Sequence, residues 1–247
     1  MNCVILQPSY IPWRGFFHQV WKADCFIFYD DVQYDKRGWR NRNRIKTPQG
    51  PRWLSIPVHN KGHQVEGTLL RDIRICADTP WQTKHWHALE HCYAKAPFFN
   101  LYAPVLREFY QPRWEFLCDF TIELTVALAQ ELGVRRTRFL RSSTLRTEGG
   151  KNERLIQLLQ SVGADHYITG PSASSYLRED QFHAAGITVE YMTYDYPEYP
   201  QLYPPFLAEV SILDLLFMTG PKAAQFILKP RRDAAQDSAR LVQVPEV

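Results

Sequence analysis

The segment "CVILQPSYIPWRGFFHQVWKADCFIFYD" (residues 3–30) decides the fold class. Residues 3–7 are apolar and β-branched and stop at Pro8, which is typical of a short buried strand. Residues 15–23 place apolar side chains at helical spacing, and residues 24–30 form a second strand-like run. A strand, a loop, a helix and a strand in direct succession predict a βαβ unit, and therefore a parallel sheet.

Outward from this unit, the alternation of strands and helices returns at residues 137–196. Residues 79–133 between the two parts have the spacing of amphipathic helices. We therefore predict an α/β protein with a parallel, Rossmann-like sheet and a helical insertion at about 79–133. It forms a single domain over residues 1–229, followed by a loosely held tail at 230–247. Two further strand-like runs lie at residues 51–60 and 70–75.

Composition restricts the class of protein. Hydrophobic residues make up 45% and aromatic residues 14% of the 247 residues, which indicates a packed core and argues against disorder. The net charge of +3 does not by itself identify a nucleic-acid-binding protein. Only the local clustering of charge carries information about ligands.

The cysteines and the N-terminus predict a cytoplasmic protein. The five cysteines are scattered and form no C-x-x-C pair, so we expect buried free thiols in a reducing compartment. The N-terminus lacks the basic region of a signal peptide. No apolar run approaches the roughly 20 residues that cross a bilayer, so we expect no membrane insertion.

Three polar clusters directly follow predicted strands. They are Gln7 with Tyr10 and Trp13, the acidic and basic segment from Asp30 onward, and "TGPSASSYL" (169–177). Because ligands bind at the carboxyl ends of parallel strands, we expect the three clusters to converge on one crevice. In the third cluster, Gly170 and the serine hydroxyls resemble an anion cradle, although the same residues are typical of a turn that ends a strand.

The segment "DDVQYDKRGWRNRNRIKT" (30–47) concentrates basic residues. In an extended conformation, alternation would place Arg40, Arg42, Arg44 and Lys46 on one face. Such a row suits phosphate, because a guanidinium fork fits two oxygens. The alternative is a solvated edge strand, in which charges prevent edge pairing. We favour phosphate binding, because solvation does not explain the acids, the Gln and the aromatic residue that precede the row.

Two interpretations are open for the acids and for the histidines. Asp30 and Asp31 either bind Mg²⁺ through a carboxylate or serve only to cap a turn. His87 and His91 share a helix face and could seat zinc only with a third ligand, so we predict no metal site there. Lys84 and His85 at the helix start could instead face the crevice, where His85 could act as acid, base or phosphate ligand.

Four segments together resemble the WbqC-like protein family: "LQPSYIPWRGFF", "ADCFIFYDDVQYDKRGWRNRNRIK", "ITGPSASSYL" and "SILDLLFMTG". The resemblance runs in sequence order to about Gly220. It departs at "FMTG", where the family more often has Asn before Gly. The first segment also resembles the strand–loop–helix of nucleotidyltransferase-like enzymes, but it lacks their histidine pair.

The resemblance implies a role in surface-polysaccharide (O-antigen) biosynthesis, as a transferase or ligase that passes glycine or another acyl group to an amino sugar. ATP or a nucleotide-sugar with Mg²⁺ would then be the cofactor, and an anionic small molecule the substrate. The alternatives are a nucleic-acid or charged-tRNA binding protein, with aminoacyl-tRNA as a partner, and a non-catalytic binder of an anionic sugar.

On this hypothesis the catalytic candidates are Lys84, His85 and Asp31. The candidates for substrate or nucleotide binding follow the three predicted strands: Gln7, Tyr10, Trp13, Asp30, Gln33, Lys36, Arg37, Trp39, Arg40, Asn41, Arg42, Asn43, Gly170, Pro171, Ser172 and Tyr176.

Overall fold

The structure is a computed structural model that describes residues 1–59, 67–111 and 114–228. The predicted tail at 230–247 lies outside the described residues. The strands, in chain order, are β1 (Asn2–Leu6), β2 (Cys25–Phe28), β3 (Arg42–Thr47), β4 (Gly50–Ser55), β5 (Arg138–Arg141), β6 (His166–Thr169) and β7 (Thr188–Tyr191). The helices are α1 (Arg14–Lys22), α2 (Trp81–Tyr93), α3 (Phe99–Phe109), α4 (Leu117–Glu131), α5 (Lys151–Ser161), α6 (Glu179–Ala184) and α7 (Ile212–Thr219).

Five strands form one sheet in the order β5-β2-β1-β6-β7, and all neighbouring pairs are parallel. The prediction of an α/β fold with a parallel sheet is therefore confirmed. Numbered by their succession within the sheet, the strands follow the order 3-2-1-4-5 that also begins the Rossmann sheet. The order reverses between β1 and β6, and the carboxyl ends on either side of such a reversal are where ligands bind in open α/β sheets.

Two apolar clusters cover the two faces of the sheet. On one face, Val4 and Phe26 pack in a large cluster with α1 and the helices α2, α3, α4 and α7. On the other face, Cys3 and Ile27 pack against Leu158 of α5 and Phe182 of α6. The alternation of side chains along a strand produces this division, because successive residues point to opposite faces.

The predicted helices between the α/β parts are present as α2, α3 and α4, and they lie in the chain between β4 and β5. The chain leaves α4 at Gly133, whose φ of 88° is in the left-handed region that glycine adopts without strain. No helix of the described residues is long and apolar enough to span a membrane.

The hairpin of β3 and β4 is a separate antiparallel two-stranded sheet. The predicted strand at 70–75 is wrong, since residues 70–72 form a short 3-10 helix and only single bridges flank it. Leu70 and Ile73 are both buried, and their spacing of three residues suits one helical turn, whereas a strand would point them to opposite faces. The strand prediction followed the alternation of Ile73 and Ile75, which continues only after the turn.

Candidate functional site

A cavity of about 410 Å³ opens at the carboxyl end of β1, beside the reversal of strand order. The end of β1, the loop after it, helix α1, the basic segment and the loop before α7 contribute its wall. The lining residues are Leu6, Gln7, Ser9, Pro12, Trp13, Phe16, Gln19, Trp39, Arg40, Asn43, Arg44 and Glu209. Five of the predicted site residues are among them: Gln7, Trp13, Trp39, Arg40 and Asn43.

The basic segment holds the loop after β1 in place. Arg40 Nη1 donates to the carbonyl oxygens of Gln7 (3.0 Å) and Pro8 (3.3 Å) and to Ser9 Oγ (2.7 Å). The Asn43 amide donates to the carbonyls of Tyr10 (3.0 Å) and Ile11 (2.9 Å). These bonds satisfy backbone carbonyls that the loop leaves unpaired, so the loop and the segment form one rigid wall of the cavity.

Arg40 carries a partly buried positive charge. Its Nε atom is fully buried and has no hydrogen-bond partner among the described residues. All the hydrogen bonds that the described part of the chain gives to its guanidinium go to carbonyl or hydroxyl oxygens, and none goes to a carboxylate. Burial lowers the pKa of Arg40 to about 10, so the side chain stays protonated at neutral pH. The cavity wall therefore holds a cation that donates no hydrogen bond to a carboxylate in the described structure, although the nearby charge of Asp35 partly offsets the effect of burial on its pKa.

The mouth of the cavity holds a second arginine. Arg44 Nη2 contacts Glu209 Oε2 at 2.7 Å. The Arg44 guanidinium also lies over the rings of Trp39 (5.4 Å) and Trp53 (5.6 Å), in the geometry of a cation–π contact. Glu209 belongs to the loop before α7, so this ion pair joins the hairpin to a distant part of the chain.

The inner wall has amide and aromatic side chains. Gln19 of α1 is buried, and its Nε2 donates to the Tyr194 hydroxyl at 2.8 Å. Its Oε1 is buried without a partner in the described structure. The Trp13 ring stands edge-on to Tyr194 with ring centroids 4.9 Å apart. A ligand that donates a hydrogen bond to Gln19 Oε1 would satisfy this buried acceptor.

The predicted row of four cations is divided in the structure. The strand begins only at Arg42, and Arg40 lies before it and turns toward the loop after β1. Lys46 is buried, and its Nζ donates to Gln201 Oε1 at 2.7 Å and also to the Pro205 carbonyl. Arg42 stacks on the ring of Trp53 at 4.8 Å. Arg40 and Arg44 are thus the two cations that share the cavity.

Asp30, two residues after β2, caps the short 3-10 turn (Ser142–Thr144) that follows the neighbouring strand β5. It is fully buried, and its carboxylate accepts hydrogen bonds from the Ser143 N–H (3.0 Å), the Ser143 hydroxyl (2.9 Å) and the Ser142 hydroxyl (3.1 Å). Asp31 forms an ion pair with Arg154 and accepts from Ser142. These carboxylates do not fit a Mg²⁺ site, because their oxygens already have strong protein partners.

His85 lies in the core and outside the cavity lining. Its Nδ1 is 2.8 Å from the Tyr10 hydroxyl, which is also 2.8 Å from the hydroxyl of Tyr110. Burial lowers the pKa of His85 to about 4, although a backbone hydrogen bond with Ser55 opposes this. The expectation that His85 and Tyr10 face the crevice therefore differs from their place in the structure, since both side chains are used to pack α2 against the loop after β1.

The remaining helix candidates lie on the surface. Lys84 is exposed, as are His87 and His91. In the described ranges, no group of three His, Cys, Asp or Glu side chains could hold a metal ion.

The third polar cluster lies outside the cavity lining. Residues 171–175 form a 3-10 helix, and the hydroxyls of Ser174 and Ser175 donate to the carbonyls of Pro171 and Ser172. The Tyr194 hydroxyl would lie 3.5 Å from a Cβ placed on Gly170, and it accepts from Gln19 on the cavity side. The cavity therefore brings together residues of the first two clusters. It is not lined by the residues predicted from the third cluster, which are Gly170, Pro171, Ser172 and Tyr176.

The other binding candidates surround the basic segment. Gln33, Lys36 and Arg37 are exposed, and the Arg37 carbonyl accepts a hydrogen bond of 2.7 Å from Arg42 Nη2. The Asn41 amide donates to the Ile56 carbonyl at 2.9 Å, which secures the start of the hairpin.

Among the polar lining residues, Gln19 and Glu209 lie outside all three predicted polar clusters. Gln19 had a detectable signal, because it is a polar residue between Phe16 and Val20 on the buried face of an amphipathic helix. Glu209 had none, because it follows a proline-rich loop and only the tertiary fold brings it to Arg44.

Comparison with known proteins gives a family but no established activity. Residues 7–226 match the WbqC-like protein family. The chain is similar to the uncharacterized protein Rv1507c of Mycobacterium tuberculosis (strain ATCC 25618 / H37Rv), with 42% identity over 227 residues that cover 90% of this chain and 96% of that protein. No solved structure gives a significant match, so the likeness to nucleotidyltransferase-like enzymes stays a prediction. The family match extends over most of the chain, from the loop after β1 to the end of α7 and beyond, and the chain belongs to the WbqC-like protein family.

Proposed function

We propose that this chain is a transferase or ligase of surface-polysaccharide biosynthesis that joins glycine or another acyl group to an amino sugar, using a phosphate-containing donor. The observation that carries the proposal is Arg40, a partly buried cation on the cavity wall whose guanidinium donates no hydrogen bond to a carboxylate in the described structure. A cation in this state favours an anionic ligand, and the guanidinium fork fits the oxygens of a phosphate.

The rest of the wall suits a sugar. The amide side chains of Gln7, Gln19 and Asn43 can exchange hydrogen bonds with hydroxyl and amine groups, and the Trp13 ring offers an apolar face to a pyranose. Pockets for small molecules combine such an apolar lining with a few fixed polar groups. The resemblance to the WbqC-like family implies the polysaccharide setting.

In the proposed reaction, the amine nitrogen of the sugar attacks the carbonyl carbon of an acyl group activated by phosphate. The C–N bond forms, the C–O bond to phosphate breaks, and the phosphate leaves with the electron pair while the amine proton passes to solvent. Among the lining residues that the structure describes, Glu209 carries the only carboxylate. We assign Glu209 to orient the amine and Arg40 to stabilise the charge of the phosphate.

The test combines titration calorimetry with a turnover assay. We expect heat on titration with pyrophosphate, ATP and UDP-linked amino sugars, and loss of that heat in Arg40→Met but not in the exposed control Arg136→Met. Incubation with glycine, ATP and a UDP-linked amino sugar should then give a product heavier by one glycyl group in mass spectrometry. Absence of binding to every phosphate ligand would exclude the proposal. Binding without a mass gain would instead favour a non-catalytic binder of an anionic sugar.

A further inference from the structure

An exposed aromatic pair lies at the mouth of the cavity. Trp39 is 42% and Trp53 is 44% exposed, and their ring centroids are 5.1 Å apart at an interplanar angle of 36°. Trp39 lines the cavity, whereas Trp53 lies on β4 outside the lining. Exposed tryptophans in contact with each other are unusual on a surface that binds nothing, because burial of their rings is strongly favourable.

Two guanidinium groups pack against this pair. Arg42 lies 4.8 Å from the Trp53 ring, and Arg44 lies within 5.4 Å of Trp39 and 5.6 Å of Trp53. We call Trp39, Trp53, Arg42 and Arg44 the tryptophan platform. Since Arg44 and Trp39 also line the cavity, the platform continues the positively charged wall outward without a break.

The size of the cavity indicates which part of a ligand reaches the tryptophan platform. Its volume of about 410 Å³ lies toward the lower end of the range of roughly 300–1,000 Å³ that ligand pockets occupy. A ligand built from a sugar, two phosphates and a nucleoside therefore extends past the mouth. The surface that it meets there consists of two partly exposed tryptophan rings with guanidinium groups packed over them, and both kinds of planar group stack on a base linked to phosphates.

We propose that the tryptophan platform binds the base of a nucleoside diphosphate whose phosphates lie between Arg44 and Arg40. This inference rests on the proposed function, because it specifies the phosphate-containing ligand of the same cavity as a nucleotide. Stacking on tryptophan accepts any base, so the platform selects the class of nucleoside diphosphates and not one base.

The test compares UDP and ADP with pyrophosphate, by titration calorimetry on the full chain. We expect UDP and ADP to bind about tenfold more tightly than pyrophosphate, since base stacking adds to the phosphate contacts. In Trp53→Ala this advantage should disappear, while most of the affinity for pyrophosphate remains, because Arg40 does not pack on Trp53 in the described structure and Arg44 still packs on Trp39. Trp53→Phe should restore most of it, and Leu101→Ala, an exposed truncation on α3, should leave all affinities unchanged.

The outcomes separate this inference from the proposed function. If pyrophosphate binds the unmodified chain as tightly as UDP, the inference that the platform binds a base is overturned. The proposal that the cavity binds phosphate is then still supported. UDP binding that depends on Trp53 without any pyrophosphate binding would support stacking of the base on the platform, and would overturn both the placement of the phosphates between Arg44 and Arg40 and the role of Arg40 in the proposed function. A single-stranded RNA that binds far more tightly than UDP, with a steep salt dependence, would show that the occupant is a nucleic acid and would overturn the inference.

Discussion

Arg40 Nη1 donates a 3.0 Å hydrogen bond to the backbone carbonyl of Gln7, the first residue after β1. The bond joins the segment that follows β2 to the carboxyl end of the neighbouring strand. Because Arg40 and Gln7 both line the cavity, one side chain fixes the shape of the wall and supplies its charge.

Substitution of Arg40 should therefore affect both ligand binding and stability. Arg40→Lys keeps the charge but cannot reproduce the three hydrogen bonds of the guanidinium, so we expect pyrophosphate affinity to fall about tenfold. Arg40→Met should abolish measurable binding. Both should lower the free energy of unfolding by about 1–2 kcal/mol, measured by urea denaturation. Unchanged pyrophosphate affinity in Arg40→Met would contradict the assignment.

Removal of Glu209 should strengthen anion binding. Glu209 forms an ion pair with Arg44 at 2.7 Å, so a phosphate that enters the mouth of the cavity competes with the Glu209 carboxylate for Arg44. We expect Glu209→Gln to raise pyrophosphate affinity about two- to fivefold, the range of a surface ion pair, and to lower turnover in the glycyl-transfer assay. Glu123→Gln, an exposed change on α4, serves as the control. Weaker pyrophosphate binding in Glu209→Gln would be the opposite of this expectation.

Gly15 keeps Trp13 in its place on the wall. A Cβ on Gly15 would lie 2.3 Å from the Trp13 ring, which is too close for the ring to stay where it is. We expect Gly15→Ala to displace Trp13 and to weaken the binding of UDP-linked sugars by at least about tenfold. The matched control is Gly150→Ala, since a Cβ there meets no atom within 4 Å. Equal affinities in the two variants would show that Trp13 does not contact the sugar.

The buried histidine makes stability depend on pH. The pKa of His85 is lowered to about 4 from 6.5, so between these values the unfolded chain takes up a proton that the folded chain does not. Stability is therefore fully present above pH 6.5 and falls as the pH drops toward 4, by up to about 3 kcal/mol. Urea denaturation across this range should show the slope, and His85→Gln should reduce it whereas exposed His87→Gln should not. Burial also lowers the pKa of His18 to about 4, so part of the slope should persist in His85→Gln.

Asp30 should matter for folding and not for metal binding. Asp30→Ala leaves the Ser143 N–H and the Ser143 hydroxyl without their acceptor, whereas the Ser142 hydroxyl keeps Asp31, and we expect the free energy of unfolding to fall by about 3 kcal/mol. Exposed Asp180→Ala on α6 should change it little. Thermal unfolding with and without Mg²⁺ provides the second measurement. A rise in Tm with Mg²⁺ that requires Asp30 would restore the metal hypothesis.

The local pattern was sufficient for the βαβ unit, because the strand and helix periodicities of residues 3–30 are properties of neighbouring residues. It also located Gln7, Trp13 and Arg40, since residues after parallel strands share one edge of the sheet. It could not supply the contacts of distant residues. Arg44 and Glu209 are 165 positions apart, and Asp30 and Ser143 are 113 apart. No periodicity in a single sequence records such pairs.

The position of residues 169–177 shows a second reason why the sequence pattern did not predict the whole site. Sharing the carboxyl edge places a loop near a crevice but does not decide which side chain forms its surface. The Tyr194 hydroxyl lies beside Gly170 and accepts a hydrogen bond from Gln19, so a residue from beyond β7 lies between the 169–177 segment and the cavity lining.

The hairpin of β3 and β4 makes its ladder within itself and adds no strand to the five-stranded sheet. Pro48 and Gln49 at its tip are exposed. Insertions at this tip would therefore leave the pairing of the five-stranded sheet untouched, whereas exchange of the whole hairpin would also remove the bonds by which Asn43 holds the loop after β1.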